Sequence, residues 1–183
     1  MAAKRHAAKP CVTASMDAVH FVSPIKIGDM CIITASVHRS WRSSMEIGVL
    51  VQAENMLSGK MRFCCYSILT FVAVMEGKPI QVPKLIPQTD KEMINYKSAE
   101  SRRLERIQAR KDGSEPMKIS SPVSKSFYAL SPNIRNFSIP PSESKLENDT
   151  FDTHNVLETK HASDTFTEIV QIIFPEHANS LGT

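Results

Sequence analysis

The stretch Met61–Met75 (MRFCCYSILTFVAVM) runs for fifteen residues without Gly or Pro and is apolar at odd and even positions alike. Successive strand residues point to opposite faces, so a strand of this kind is covered on both sides and belongs inside a sheet. The segment before it, Ser44–Glu54 (SMEIGVLVQAE), alternates instead. Met45, Ile47, Val49, Val51 and Ala53 share one face; Glu46, Gly48, Leu50, Gln52 and Glu54 share the other. Leu57-Ser58-Gly59-Lys60 joins the two as a hairpin loop. Two more extended segments precede them, Cys11–Val22 between Pro10 and Pro24, and Asp29–Trp41 after Gly28. Short connections make neighbouring strands antiparallel. The pattern predicts a four-stranded antiparallel meander with unusually long strands.

Helical signals flank this block. Residues 1–9 are Ala-rich and helical in character, but too few to stand alone, and Pro10 stops them. Pro79, Pro83 and Pro87 space out an extended stretch. Thr89 and Glu92 then form a capping box for a helix over about 90–111. Met93, Leu104 and Ile107 make its narrow apolar stripe, and its end is cationic, with Arg102, Arg103, Arg106, Arg110 and Lys111. Residues 112–164 hold ten Ser and no periodicity, which predicts a disordered linker. Over 165–175, Thr165 and Glu168 imitate a capping box. The β-branched Ile169, Val170, Ile172 and Ile173 before Pro175 argue for a strand instead.

The chain has 183 residues and a net charge of +3, too small to imply a nucleic-acid binder. That average conceals a split. Residues 1–111 carry 17 basic and 9 acidic side chains, a net +8, and residues 112–183 carry 5 and 10, a net −5. No apolar run approaches the roughly 20 residues of a membrane span. The N-terminus has no apolar core of a secretory signal. Cys11, Cys31, Cys64 and Cys65 lack metal-ligand spacing and lie in strand-like runs, as reduced buried thiols do.

The familiar catalytic strings are absent: no Gly-x-Ser-x-Gly elbow, His-Glu-x-x-His, Walker loop or Gly-x-Gly-x-x-Gly. Cys64 reads as a core thiol rather than a nucleophile. His20 and His38 read as satisfied polar residues at a strand edge. The arginines at the helix end have three readings. They are a solvated cationic terminus favoured by the helix dipole, a nucleic-acid contact, or a site for a phosphate-bearing small ligand. No aromatic platform accompanies them, which weakens the nucleic-acid reading.

Four blocks carry a resemblance: Cys11-Val-Thr-Ala-Ser-Met-Asp-Ala-Val-His-Phe21, Pro24-Ile-Lys-Ile-Gly-Asp29, Ser43-Ser-Met-Glu-Ile-Gly-Val49 and Leu69-Thr-Phe-Val-Ala73. In order and spacing they resemble acyl-CoA thioesterases of the hot-dog fold. Within that family the chain resembles the animal tandem type, with two hot-dog domains in series and often a START domain. Ala99-Glu-Ser-Arg-Arg103 is similar to the segment after the first domain, and Glu168–Asn179 to the opening of the second.

The resemblance implies an α+β hot-dog fold, a long antiparallel sheet wrapping a central helix, incomplete at both ends. Residues 1–87 would be the C-terminal part of one hot-dog domain, 88–111 a following helix, 112–164 the linker and 165–183 the start of a second domain. It implies hydrolysis of acyl-CoA to fatty acid and CoA, with CoA as part of the substrate and with no metal or other cofactor. Asn179 falls at the catalytic Asn position, and Ala14, Ser15, Met16, Ser43, Ser44, Met45 and Arg103 fall at CoA-contacting positions. The catalytic carboxylate lies on the central helix, outside this sequence, so the chain alone is expected to be inert, with a non-catalytic acyl-CoA-binding or partner-binding module as the alternative. Pairing with another hot-dog domain, a homo-oligomer, and a cytoplasmic or mitochondrial-matrix location are further expectations. The bare sheet edge left by the missing opening strand is expected to accept Glu168–Phe174 as a substitute.

Overall fold

The computed structural model describes residues 1–17, 19–111, 158–174 and 177. Its centre is an antiparallel sheet of β1 (Cys11–Met16), β3 (Asp29–Ser40), β4 (Ser44–Asn55), β5 (Met61–Met75) and β9 (Thr167–Ile172), in the order β1-β5-β4-β3-β9. The short β2 (His20–Phe21) and β6 (Lys78–Pro79) add to β5, and β7 (Lys84–Ile86) pairs in parallel with β8 (Thr159–His161). Helices α1 (Ala2–Ala7) and α2 (Asp90–Lys111) complete the described residues.

The hairpin β4–β5 and the hairpin β3–β4 form as the alternation predicts. The simple meander does not. The segment 11–21 splits into β1 and β2 and crosses to the far side of the sheet, where it pairs with β5 rather than β3. β5 is thereby interior, as its two apolar faces require. Register shifts at Val37/Arg39 and Val51/Gln52 also interrupt the alternation. Such bulges turn successive residues, so Gln52, Ala53 and Glu54 are all buried.

Val37, Met45, Ile47 and Ala73 form one sheet face, packed under Ala2, Ala3 and Ala7 of α1 with Val82, Leu85 and Ala162. Small alanines let the short helix lie close to the sheet. His6, fully buried on α1, donates Nε2–H to the Pro83 carbonyl at 2.8 Å, and burial holds its pKa below the usual value.

The described residues begin again at Glu158, and the disordered linker expected over 112–157 lies outside them. Residues 159–164, read from sequence as linker, form β8 and a 3-10 turn (Ala162–Thr165). The substitute-strand expectation holds: β9 pairs with β3 along its length, Met30 opposite Ile172 and Ala35 opposite Thr167. Residues assigned by resemblance to the opening of a second domain thus lie in this sheet. The fully buried Thr165 hydroxyl accepts from the Val37 N–H at 2.9 Å and donates to the Ala162 carbonyl at 2.7 Å. Arg5 Nη1 reaches the Phe166 carbonyl at 2.5 Å. These bonds tie the segment to β3 and α1.

Thr165→Val keeps the shape and strands the Val37 N–H without a partner. It is expected to cost about 1–3 kcal/mol in urea unfolding. Stability equal to the parent within about 0.5 kcal/mol would show that the hydroxyl does not fasten the segment.

Candidate functional site

α2 starts where the capping box predicts. Glu92 N–H donates to Thr89 Oγ1 at 3.2 Å, and Glu92 Oε2 accepts from the N–H groups of Thr89 (3.1 Å) and Gln88 (2.7 Å). The expected apolar stripe does not form its buried face: Leu104 is 58% exposed, and Ala99 and Arg102 are the buried positions. The reason lies beneath the helix. Glu46 sits on the sheet face opposite α1 with its side chain fully enclosed. A buried carboxylate has to be paired. Arg102 supplies Nη2 at 2.5 Å and Nε at 3.1 Å to Glu46 Oε1, and Arg106 Nη2 lies 2.8 Å from Oε2. Arg106 also reaches Asp17 Oδ2, past the end of β1, at 2.9 Å. The polar face of α2 is therefore its packing face.

His38 and Tyr66 complete this layer. His38 is 4% exposed on interior strand β3, not at an edge, with Nδ1 3.8 Å from Glu46 Oε1. Burial lowers its pKa against the pull of Glu46, which leaves the ring neutral at pH 7. Burial works to raise the Glu46 pKa, but His38, Arg102 and Arg106 outweigh it and hold the carboxyl at about 2. Burial raises the Asp17 pKa, with Arg106 opposing, and raises that of Tyr66 as well. Gly48 is the gap these rings need: a Cβ there would land on the His38 imidazole and 2.7 Å from Tyr66 Oη.

The residues selected by resemblance fall into two groups with β5 between them. Ser15 pairs with Thr70, which pairs with Glu46, so strand spacing puts β1 and β4 roughly 10 Å apart here. Ala14 and Met16 are exposed and Ser15 is half-buried. Ser43 and Ser44 are half-buried at a tight turn closed by Trp41 N–H to the Ser44 carbonyl at 2.8 Å. Met45 differs from the others: its side chain is fully buried against the α1 core, so it offers a ligand no side-chain surface. Arg103 joins the second group, with its guanidinium 4.8 Å from the centre of the Trp41 ring. Trp41 Nε1 donates to Glu100 Oε2 at 2.8 Å, and Glu100 also pairs with Arg39 Nε at 3.0 Å. Asn179 lies outside the described residues.

The arginine row at the end of α2 thus divides its work. Arg102 and Arg106 neutralise the interior, and Arg103 lies half-buried on an indole. The aromatic partner is Trp41, distant in sequence. Cys31, Cys64 and Cys65 are free and buried, with pKa values raised by burial, as core thiols are. Among the described residues no group of His, Cys, Asp and Glu could hold a metal ion, and no helix is long and apolar enough to cross a membrane.

The chain matches known proteins. The thioesterase superfamily model matches residues 1–60. The crystal structure of an apo-hexameric acyl-CoA thioesterase is 39% identical, covers 59% of this chain and 70% of its own, and superposes with a TM-score of 0.57. The chain belongs to the thioesterase superfamily, with its hot-dog fold. An acyl-CoA hydrolase from Staphylococcus aureus, solved with butyryl coenzyme A, coenzyme A and coenzyme A disulfide, is 35% identical, with coverage of 70% and 73% and a TM-score of 0.54. Acyl-coenzyme A thioesterase 11 of Mus musculus is 39% identical over 107 residues, 58% of this chain. The chain spans only 18% of the length of that mouse relative.

The Glu46 carboxyl is held below its usual 4.5, so it adds stability above pH 4.5 that is lost as pH falls toward 2. The loss is roughly 3 kcal/mol across that window. Asp17, shifted upward, acts in the opposite sense. Urea unfolding at pH 6 and pH 3 should show about 2 kcal/mol of this loss in the parent and a smaller drop in Glu46→Gln. Equal drops in both would assign the acid sensitivity elsewhere.

Proposed function

We propose that this chain serves hydrolysis of acyl-CoA thioesters to free fatty acid and CoA, by supplying the surface that binds CoA. One observation carries the reading. In a hot-dog sheet 35–39% identical to acyl-CoA thioesterases, Arg103 is stacked on Trp41 beside the Ser43–Ser44 turn. A guanidinium held by an indole loses little freedom on meeting a phosphate, and its fork matches phosphate oxygens. Arg103 then takes a CoA phosphate, Ser43 and Ser44 offer hydroxyls next to it, and Ala14–Met16 lie on β1, across β5 from them. Asn179 is the residue we propose to position the thioester, and no metal is needed for an attack by activated water. The division into a hot-dog part (1–87), helix (88–111), linker and second hot-dog start remains part of this proposal, with the linker drawn over 112–164 ending before β8 and with 167–172 of the 165–183 segment taken into this sheet. So does pairing with another hot-dog domain in a homo-oligomer, which has a parallel in the hexameric relative. Four free thiols support a reducing compartment, the cytoplasm or the mitochondrial matrix.

A second reading has its own support. α1 carries Lys4, Arg5 and His6, so it bears no carboxylate to act as the base. A module that binds acyl-CoA without turnover fits that helix. Both readings require binding.

CoA added to the chain should raise its Tm, and Arg103→Ala should weaken CoA binding about tenfold, the worth of one charge-assisted hydrogen bond. Butyryl-CoA turnover, followed as free CoA by chromatography, separates the readings. Hydrolysis above a no-protein control supports the hydrolase, and binding without hydrolysis supports the binding module. Absence of any CoA effect contradicts both.

A further inference from the structure

We propose that Glu100 is a positioning residue for CoA: it fixes the Trp41 indole by its edge, and through the indole holds Arg103 ready for a phosphate, while Arg39 keeps the Glu100 carboxylate from capturing Arg103. The role rests on the CoA-binding reading and names what leaves Arg103 available to an anion. Tyr96, Glu100 and Arg103 follow one another on α2 at spacings of four and three, so they line one face of the helix. Arg39, near the end of β3, and Trp41, just past it, interleave with them. The Arg39 guanidinium lies 4.1 Å from the centre of the Tyr96 ring, and its Nη1 donates to the Tyr96 carbonyl at 3.4 Å. Arg39 Nε lies 3.0 Å from Glu100 Oε2. The same oxygen accepts from Trp41 Nε1 at 2.8 Å, and Arg103 lies over the Trp41 ring at 4.8 Å. The row runs Tyr96, Arg39, Glu100, Trp41, Arg103, with helix and strand side chains in alternation.

A carboxylate and a guanidinium three residues apart on a helix ordinarily pair with each other. Glu100 and Arg103 do not, and among the described residues Arg103 has no carboxylate partner. Arg39 is the reason: it holds the Glu100 carboxylate on the other side, leaving Arg103 as the uncompensated charge of the row. The Glu100 and Arg39 side chains are 34% and 21% exposed, and an ion pair this open to water adds little to stability. α2 is already docked by Arg102 and Arg106 on Glu46. What Glu100 changes is freedom. The Trp41 backbone is fixed by its N–H to the Ser44 carbonyl at 2.8 Å, and Glu100 adds a restraint on the ring. A guanidinium stacked on a restrained ring has already lost much of the freedom that binding takes away. A released Glu100 would do the reverse, pairing with Arg103 and repelling a phosphate.

Calorimetric titration of the full chain with CoA tests this. Glu100→Leu should weaken binding about two- to tenfold. Glu100→Gln keeps an oxygen for the indole N–H and has no charge to capture Arg103, so it should bind within about twofold of the parent. In an Arg103→Ala background Glu100→Leu should have no further effect, which a general loosening of the fold would not produce. Trp41 is the only tryptophan in the chain, so acrylamide quenching of its fluorescence reads the indole without CoA. Quenching should rise in Glu100→Leu and not in Glu100→Gln. If Glu100→Leu loses its circular dichroism, Arg39→Gln decides the matter: it should weaken CoA binding, and adding Glu100→Gln should reverse the loss. A folded Glu100→Leu that binds CoA as the parent does while Arg103→Ala binds weakly, a further loss in the Arg103→Ala background, or an Arg39→Gln without effect overturns the positioning role alone. A parent that does not bind CoA, or an Arg103→Ala that binds it undiminished, overturns the CoA-binding reading and the positioning role with it.

Discussion

One buried carboxylate organises the described part of this protein. Glu46 lies on the central hairpin, beneath a helix that starts 44 residues later, and its charge cannot be left unpaired there. Arg102 and Arg106 satisfy it from α2, and Arg106 extends the network to Asp17. The helix is therefore docked by charge rather than by an apolar stripe. Breaking such a pair costs more than forming it contributes, because the surviving partner stays buried. What the network contributes is position: it sets which side of α2 faces the sheet, and so leaves Arg103 beside Trp41.

Seen this way, the two sheet faces follow different rules. The α1 face is packed alanine against Val37, Met45, Ile47 and Ala73. The α2 face is ionic, with Gly48 opening space for His38 and Tyr66. The edge at β3 is closed by a segment from far along the chain, whose Thr165 hydroxyl substitutes for a backbone partner of Val37. Glu46, His6 and Thr165 each meet their burial with a specific bond.

Much of this was legible in the sequence. Alternation in 44–54 and the double-faced run 61–75 place the central hairpin, and Thr89 with Glu92 places the start of α2. The strand character of Ile169–Ile173 and its pairing with the free edge were also readable. The path of 11–21 was not, because alternation reports faces and not neighbours. The function of Arg102 was hidden for a related reason: a charged residue on a helix reads as solvated until its partner, 56 positions away, is known. Glu46 sat on the polar face of an alternating strand, where only α2 overhead makes it interior. Of the residues suggested by resemblance, Arg103 and the 43–44 turn come together, Ala14–Met16 lie across β5, and Met45 turns to the core.

The central claim is that Glu46 and Arg102 act as one unit holding α2 to the sheet. A double-mutant cycle with Glu46→Gln, Arg102→Met and the double variant, read by urea unfolding, measures it directly. A coupling above about 1 kcal/mol, with the double variant more stable than the sum of the singles implies, is the expected result. Additivity within about 0.5 kcal/mol would contradict it.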